Sequence, residues 1–137
     1  MVLSAVFDTN VIVSGVLSPK GTPGKVLDAI LDGCCQPVVS DAILAEYEDV
    51  LSRPKFHLPS GKVRLLLAGI RIRAQFAPFA PVAYTSLLPD PDDALFIEAA
   101  LVFRVPIVTG NGRHFPRPAV QGLSILTPAA FLARLAR

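Results

Sequence analysis

Tryptophan is absent from this 137-residue chain, and aromatic residues of all kinds make up only 7% of it. A platform on which the bases of a single strand could stack is therefore not evident from composition. Cysteine is almost as scarce: Cys34 and Cys35 are the only two, and they are adjacent. Neighbouring cysteines rarely close an unstrained disulfide, and with no histidine near them they do not make a zinc site. They read as a reduced, structural pair. No apolar run approaches the roughly 18 residues that a membrane-spanning helix needs, and the longest candidate, residues 94–103, is interrupted by Glu98. The amino-terminal stretch has no basic leader and is cut by Asp8, so no signal peptide is expected. The expectation is a cytoplasmic protein without a membrane segment.

Charge is sparse as well. Charged residues reach 18% with a net charge of +2, a balance that permits nucleic-acid binding without arguing for it. Apolar side chains are abundant, at 52%. That excludes a disordered chain, supports a core without disulfide staples, and suggests that a partner covers some apolar surface, most simply in a homodimer. The length fits one domain over residues 1–137.

Short apolar runs alternate with amphipathic stretches. Residues 2–7, 37–39, 106–109 and 123–126 read as strands. Residues 9–17, 25–31, 41–52, 62–74 and 93–103 read as helices, and Thr127 caps a closing helix that starts at Pro128. Residues 18–24 have the composition of a loop, and the proline-rich stretch 76–81 breaks the pattern. In the 41–52 helix, capped by Ser40, the residues Ile43, Leu44, Tyr47, Val50 and Leu51 form one face. In the 62–74 helix Leu65, Leu66 and Ile70 are expected inward, with Arg64, Arg71 and Arg73 outward. Continuously apolar strands separated by helices predict an α/β fold, a parallel sheet covered on both faces. In such sheets chemistry gathers at the carboxyl ends of strands, near a switch in strand order.

Acids occupy those places. Asp8 directly follows the first strand; taken alone it is equally an N-cap of the next helix. Glu46 flanks the apolar face of its helix beside Ile43 and Val50 while Asp49 points away, and a lone Glu there is ordinarily a solvated boundary residue. Asp90, Asp92 and Asp93 crowd the turn before the 94–103 helix. A helix dipole welcomes one or two acids, but three so close repel unless a cation neutralises them, and carboxylate oxygens suit Mg²⁺ or Mn²⁺. Thr109-Gly110-Asn111 follows a strand and puts a side-chain amide at the same edge, although alone it is a common turn. Together these residues can converge on one pocket of the kind that holds paired Mg²⁺ ions for phosphodiester hydrolysis.

In order and spacing these pieces resemble the PIN-domain family of metal-dependent nucleases. The matching segments are Asp8-Thr9-Asn10-Val11, then residues 40–46, then Leu51-Ser52-Arg53-Pro54-Lys55-Phe56. Asp90-Pro91-Asp92-Asp93 with Ala99-Ala100 follows, and Val108-Thr109-Gly110-Asn111 closes the set. The similarity covers nearly the whole chain and is greatest to the bacterial and archaeal VapC-like toxin components. It implies a three-layer α/β/α sandwich with a central parallel sheet. It also implies a Mg²⁺- or Mn²⁺-dependent endoribonuclease acting on RNA, often dimeric and held inactive by an antitoxin protein. Asp8, Glu46 and Asp93 match the three core acids, as catalytic and metal-holding residues, and Asp90 matches an additional acid ahead of the third. Thr109, Asn111 and Asn10 are expected to position water or substrate. Many members carry Asp where this chain has Asn111, which removes a negative charge. That departure keeps a second reading open: a catalytically weak or inactive module that binds RNA or a partner protein.

Other motifs lead less far. Gly21-Thr22-Pro23-Gly24-Lys25 lacks the spacing of a phosphate-binding loop, has Val26 where Ser or Thr belongs, and follows no strand. Asn10 stands where a haloacid-dehalogenase-like phosphatase would have its second Asp, and no lysine follows Leu126 as a receiver domain would want. His57 reads as a solvated loop residue, and His114, just after the Asn111 turn, is a candidate for phosphate contact. Arg53, Lys55, Arg64, Arg71, Arg73, Arg113 and Arg117 are candidates for an RNA-binding rim or for an ordinary solvated surface.

Overall fold

Ala5, Val6 and Phe7 are fully buried, as are Val38 and Val39 of a second apolar run and Ile107 and Val108 of a third. Successive side chains of a strand point to opposite faces, so such runs are buried only where both faces of the sheet are covered. A computed structural model, describing residues 2–78, 88–116 and 120–136, shows that arrangement. In chain order the elements are β1 (Ser4–Phe7), α1 (Thr9–Leu17), α2 (Thr22–Leu31), β2 (Gln36–Val39) and α3 (Asp41–Leu51). These are followed by α4 (Ser60–Arg73), β3 (Gln75–Phe76), α5 (Ala94–Phe103), β4 (Ile107–Val108), β5 (Ile125–Leu126) and α6 (Pro128–Leu135). Single 3₁₀ turns lie at Pro54–Phe56, Pro91–Asp93 and Gly112–His114.

The strands form a five-stranded parallel sheet in the order β3-β2-β1-β4-β5. β1 is central: Ser4 and Ala5 pair with Gln36 and Pro37 on one side, Val6 and Phe7 with Ile107 and Val108 on the other. Val38 and Val39 pair with Gln75 and Phe76, and Ile107 and Val108 with Ile125 and Leu126. The chain builds outward from β1 to β3 and then returns to add β4 and β5, so strand order reverses between β1 and β4. Helix α5 lies against β1, β2 and β4, and α1 and α2 form a hairpin on which α6 packs. This is the expected α/β/α sandwich. Phe7 meets Phe131 of α6 edge-on, with ring centroids 5.3 Å apart. The buried Tyr47 hydroxyl donates to the Phe7 carbonyl and ties α3 to the end of β1. Among the described residues, no helix is long and apolar enough to cross a membrane.

Three local expectations change. Helix α2 begins at Thr22 rather than residue 25, with Pro23 in its first turn where a missing N–H costs nothing. Gly24 is there for contact: a Cβ at that position would stand 2.1 Å from the Pro19 carbonyl oxygen. Next, residues 75–76 add an edge strand that is too short to carry any periodicity. Finally, Leu65 does not face inward: it is 77% exposed, and Ile72 is 79% exposed. Val63 and Ile70 are buried, with Leu66 and Leu67 packed beside them. At about 100° per residue Leu65 and Ile72 fall on the side of α4 opposite that stripe. Cys35 is buried and Cys34 exposed, both as free thiols, and burial with the neighbouring Cys34 pushes Cys35 up to about 12.

Candidate active site

Main-chain pairing runs one residue past β1, where the Asp8 N–H donates to Val108 O at 2.9 Å. That register places the Asp8 carboxylate at the mouth of the β1–β4 crevice. Asp8 occupies the N-cap position of α1, yet its side chain makes no capping hydrogen bond. Instead Oδ2 accepts from Thr109 Oγ1 at 2.7 Å, across 101 residues of chain. Burial raises the pKa of Asp8, while the Thr109 hydroxyl, the Thr9 amide, His114 and the Asn10 amide pull it down.

The acid-rich turn divides its roles. Asp90 Oδ1 accepts from the Asp92 N–H at 3.0 Å and so caps the Pro91–Asp93 turn, leaving Asp90 and Asp92 exposed. The turn carries Asp93 inward, to 9% exposure. Asp93 Oδ2 lies 3.0 Å from His114 Nδ1; against an ionised carboxylate that nitrogen carries the hydrogen. Burial, then the charges of Asp8 and Asp90, raise Asp93 to about 6, with His114 opposing them. Glu46, half-buried on α3, is also raised, first by burial and then by Asp49, against the pull of Arg53.

These acids line one cleft of about 290 Å³, which Asp8, Glu46, Asp90 and Asp93 share with Asn10 and His114. Three residues from just beyond α3 line it too: Arg53, Lys55 and Phe56. The Lys55 ammonium stands 5.1 Å from the Phe56 ring centroid, and Arg53 meets Asp49 at 3.4 Å. Phe56 is a lining residue that the aromatic count hid; the signal available was its place directly after two cations and a helix-ending proline.

Thr109 is only 1% exposed and is not among the cleft-lining residues; it reaches the site through Asp8. Asn111 is not among them either, and its N–H donates to Thr109 Oγ1 at 3.0 Å. Asn10 does line the cleft, and its Oδ1 accepts from the Gly110 N–H at 3.4 Å. His114, expected near phosphate, is bonded to Asp93, and His57 is an exposed residue closing the Pro54–Phe56 turn. Among the described residues, the basic side chains do not all line this cleft. Arg64 and Arg71 line a separate depression with Asp41 and Glu48, and Arg73 donates to the Leu31 carbonyl at 3.2 Å. Arg117 lies outside the described residues.

The donor set fits a hard divalent cation. Among the described residues no three acid, histidine or cysteine side chains stand close enough to form a ready-made cage. Mg²⁺ does not ask for one: it keeps several waters and is held through one or two carboxylates. Asp8 and Asp93 repel each other as they stand, which a cation between them would relieve. The Thr9 hydroxyl, on a residue that lines the same cleft, is buried without a hydrogen-bond partner.

Fold and site together define a class: a parallel α/β sandwich with carboxylates collected where the strand order reverses. The chain belongs to the PIN domain family, whose model matches residues 4–113. It is 30% identical over 113 residues to the uncharacterized protein MJ1680 of Methanocaldococcus jannaschii, covering 80% of this chain and 71% of that protein. Its fold is similar to that in the crystal structure of VapBC2 from Rickettsia felis bound to a DNA fragment from their promoter. That match has a TM-score of 0.60 at 15% identity over 91% of this chain and 98% of the other. FitAB bound to an IR36 DNA fragment is a second fold neighbour, with a TM-score of 0.59 at 16% identity over 90% and 94% of the two chains.

Proposed function

We propose that this chain is a Mg²⁺- or Mn²⁺-dependent endoribonuclease and the toxin of a toxin–antitoxin pair. The observation that carries the reading is the cleft itself, where Asp8 and Asp93 are buried within reach of each other's charge and Glu46 and Asp90 line the same cleft. Membership of the PIN domain family supports the nuclease, and the paired names of the fold neighbours VapBC2 and FitAB support an antitoxin partner. A homodimer acting in the cytoplasm completes the proposal, and two free thiols suit a reducing compartment.

In this reading Asp8, Glu46 and Asp93 would hold the cation, with Asp90 adding negative charge at the rim. The chemistry a divalent cation supplies when bound there is water activation and charge stabilisation at phosphorus. The chain's own residues do the rest. Thr109 holds the Asp8 carboxylate in place through its hydroxyl. Asn10 holds the Gly110 amide against the start of α1. Arg53 and Lys55 bind backbone phosphates, and Phe56 offers a face on which one base can stack.

The test is cleavage of a mixture of single-stranded and structured RNA by purified protein, with Mg²⁺, with Mn²⁺ and with EDTA. Asp93→Asn is prepared identically. The expected result is cleavage that needs a metal and falls on the order of 100-fold or more in the variant, the scale of losing a placed charge at a reacting centre. Equal metal-dependent cleavage by both proteins refutes the assignment of Asp93. A folded wild-type chain that cleaves nothing in either metal leaves the RNA- or protein-binding module as the reading.

A further inference from the structure

Between the two buried acids runs an unbroken line of hydrogen bonds carried by residues 109–114. Thr109 Oγ1 donates to Asp8 Oδ2 at 2.7 Å and accepts the Asn111 N–H at 3.0 Å. The Asn111 carbonyl accepts the His114 N–H at 3.2 Å, and His114 Nδ1 meets Asp93 Oδ2 at 3.0 Å. The segment is pinned at both ends. Asn10 holds the Gly110 amide, and Phe115, 3% exposed, packs edge-on against Phe96 of α5 with centroids 6.5 Å apart. Phe96 lies three residues beyond Asp93, so the anchor that seats Phe115 also delivers His114 to the Asp93 carboxylate.

A carboxylate turns easily about its last torsion, and two that repel each other turn apart unless something holds them. We propose that residues 109–114 form a brace that sets the separation and facing of the Asp8 and Asp93 carboxylates, with His114 as a positioning residue for Asp93. By taking Oδ2, His114 leaves the other Asp93 oxygen to the cation. Outer-shell partners of this kind orient metal-holding carboxylates in many sites. Asn111 serves the brace through its main chain, so an amide side chain at that position is not what the device requires. The proposal rests on the cation reading of the cleft given above.

Mn²⁺ binding followed by the electron paramagnetic resonance of the free ion tests it without substrate. His114→Ala and His114→Leu should weaken Mn²⁺ binding by about 10- to 100-fold. His114→Asn keeps an N–H donor near the place of Nδ1 and should bind nearly as the wild type does. The His114 side chain is 39% exposed, so leucine fills its place if alanine leaves the loop unable to fold. Thermal unfolding of the metal-free chains is measured alongside, since a merely structural histidine would shift Tm without separating asparagine from leucine in affinity. Wild-type affinity in the alanine and leucine variants overturns the brace, as does an asparagine variant that falls as far as they do. A wild-type chain that binds no Mn²⁺ fails differently: it overturns the cation reading, and the brace with it.

Discussion

The acids of the cleft and the cations beside them are held by different means. Asp8 and Asp93 come from the carboxyl end of β1 and the start of α5, are nearly enclosed, and each has a hydrogen bond into residues 109–114. Arg53 and Lys55 are exposed at the end of α3 and on the short turn after it, where Arg53 is paired with Asp49 across 3.4 Å of surface. A small hard cation demands oxygens at set positions, whereas a nucleic-acid backbone presents charges that long side chains can follow. Under the proposed function, one half of the cleft serves geometry and the other reach. Substitutions in the first half should therefore be steep and specific, those in the second shallow and dependent on salt.

The sharpest way to break that contrast is at Thr109. Thr109→Val keeps the shape but removes the hydroxyl that serves both Asp8 and the Asn111 amide. Stability to denaturant should fall by about 1–3 kcal/mol, the usual cost of leaving buried polar groups unpaired. RNA cleavage should fall with it, and Thr109→Ser should restore most of both. A valine variant that matched the wild type would show that Asp8 is held by burial alone.

A middle-sized effect is expected from pH in the metal-free protein. Asp93 is raised from 3.8 to about 6, by burial first and by Asp8 and Asp90 next. A carboxylate raised on folding opposes folding once ionised, so wild-type stability should decline as pH rises from about 4 to about 6 and stay lowered above that. Asp93→Asn escapes this cost. It should unfold at a higher temperature than the wild type above pH 6, and the difference should shrink toward zero near pH 4. A residue that costs stability and removes activity when replaced marks a site kept for function. Thermal unfolding at several pH values checks the sign, and an asparagine variant less stable at pH 8 would reverse it.

The smallest effects belong to the exposed half. Lys55→Ala should weaken RNA binding modestly and reduce the slope of log affinity against log salt by about one, as for the loss of one phosphate contact. Asp92→Asn, one residue from Asp93 but exposed, should change stability by no more than about 0.5 kcal/mol and leave cleavage intact. A large effect at Asp92 would erase the distinction between the two neighbours.

Much of the frame was legible in the chain. Asp8-Thr9-Asn10, the acid turn at 90–93 and the Thr109-Gly110-Asn111 turn each end or begin an element, and strand ends are where a parallel sheet collects chemistry. Composition and spacing alone do not say which acid of a crowded turn points inward: Asp90, Asp92 and Asp93 are chemically alike. The family resemblance singled out Asp93, and the 3₁₀ turn capped by Asp90 is what buries it. Leu65 shows the same limit on α4, where a run of leucines leaves the inward stripe undefined until the sheet selects the Val63–Ile70 side.

By itself the sequence determined four of the five strands, the main helices apart from the start of α2, the parallel class and the acid-rich edge, because apolar period, caps and turn residues act over a few positions. Tertiary structure alone decided that Thr109 binds Asp8, that His114 takes Asp93 rather than standing free for phosphate, and that Arg53, Lys55 and Phe56 line the cleft while Arg64 and Arg71 line another depression. Asp8 and Thr109 are 101 residues apart, and no local pattern encodes a meeting across that distance. It follows from the order in which the strands pack: β4 returns to β1, the reversal opens a crevice between them, and whatever polar groups end those two strands are buried together and must satisfy one another.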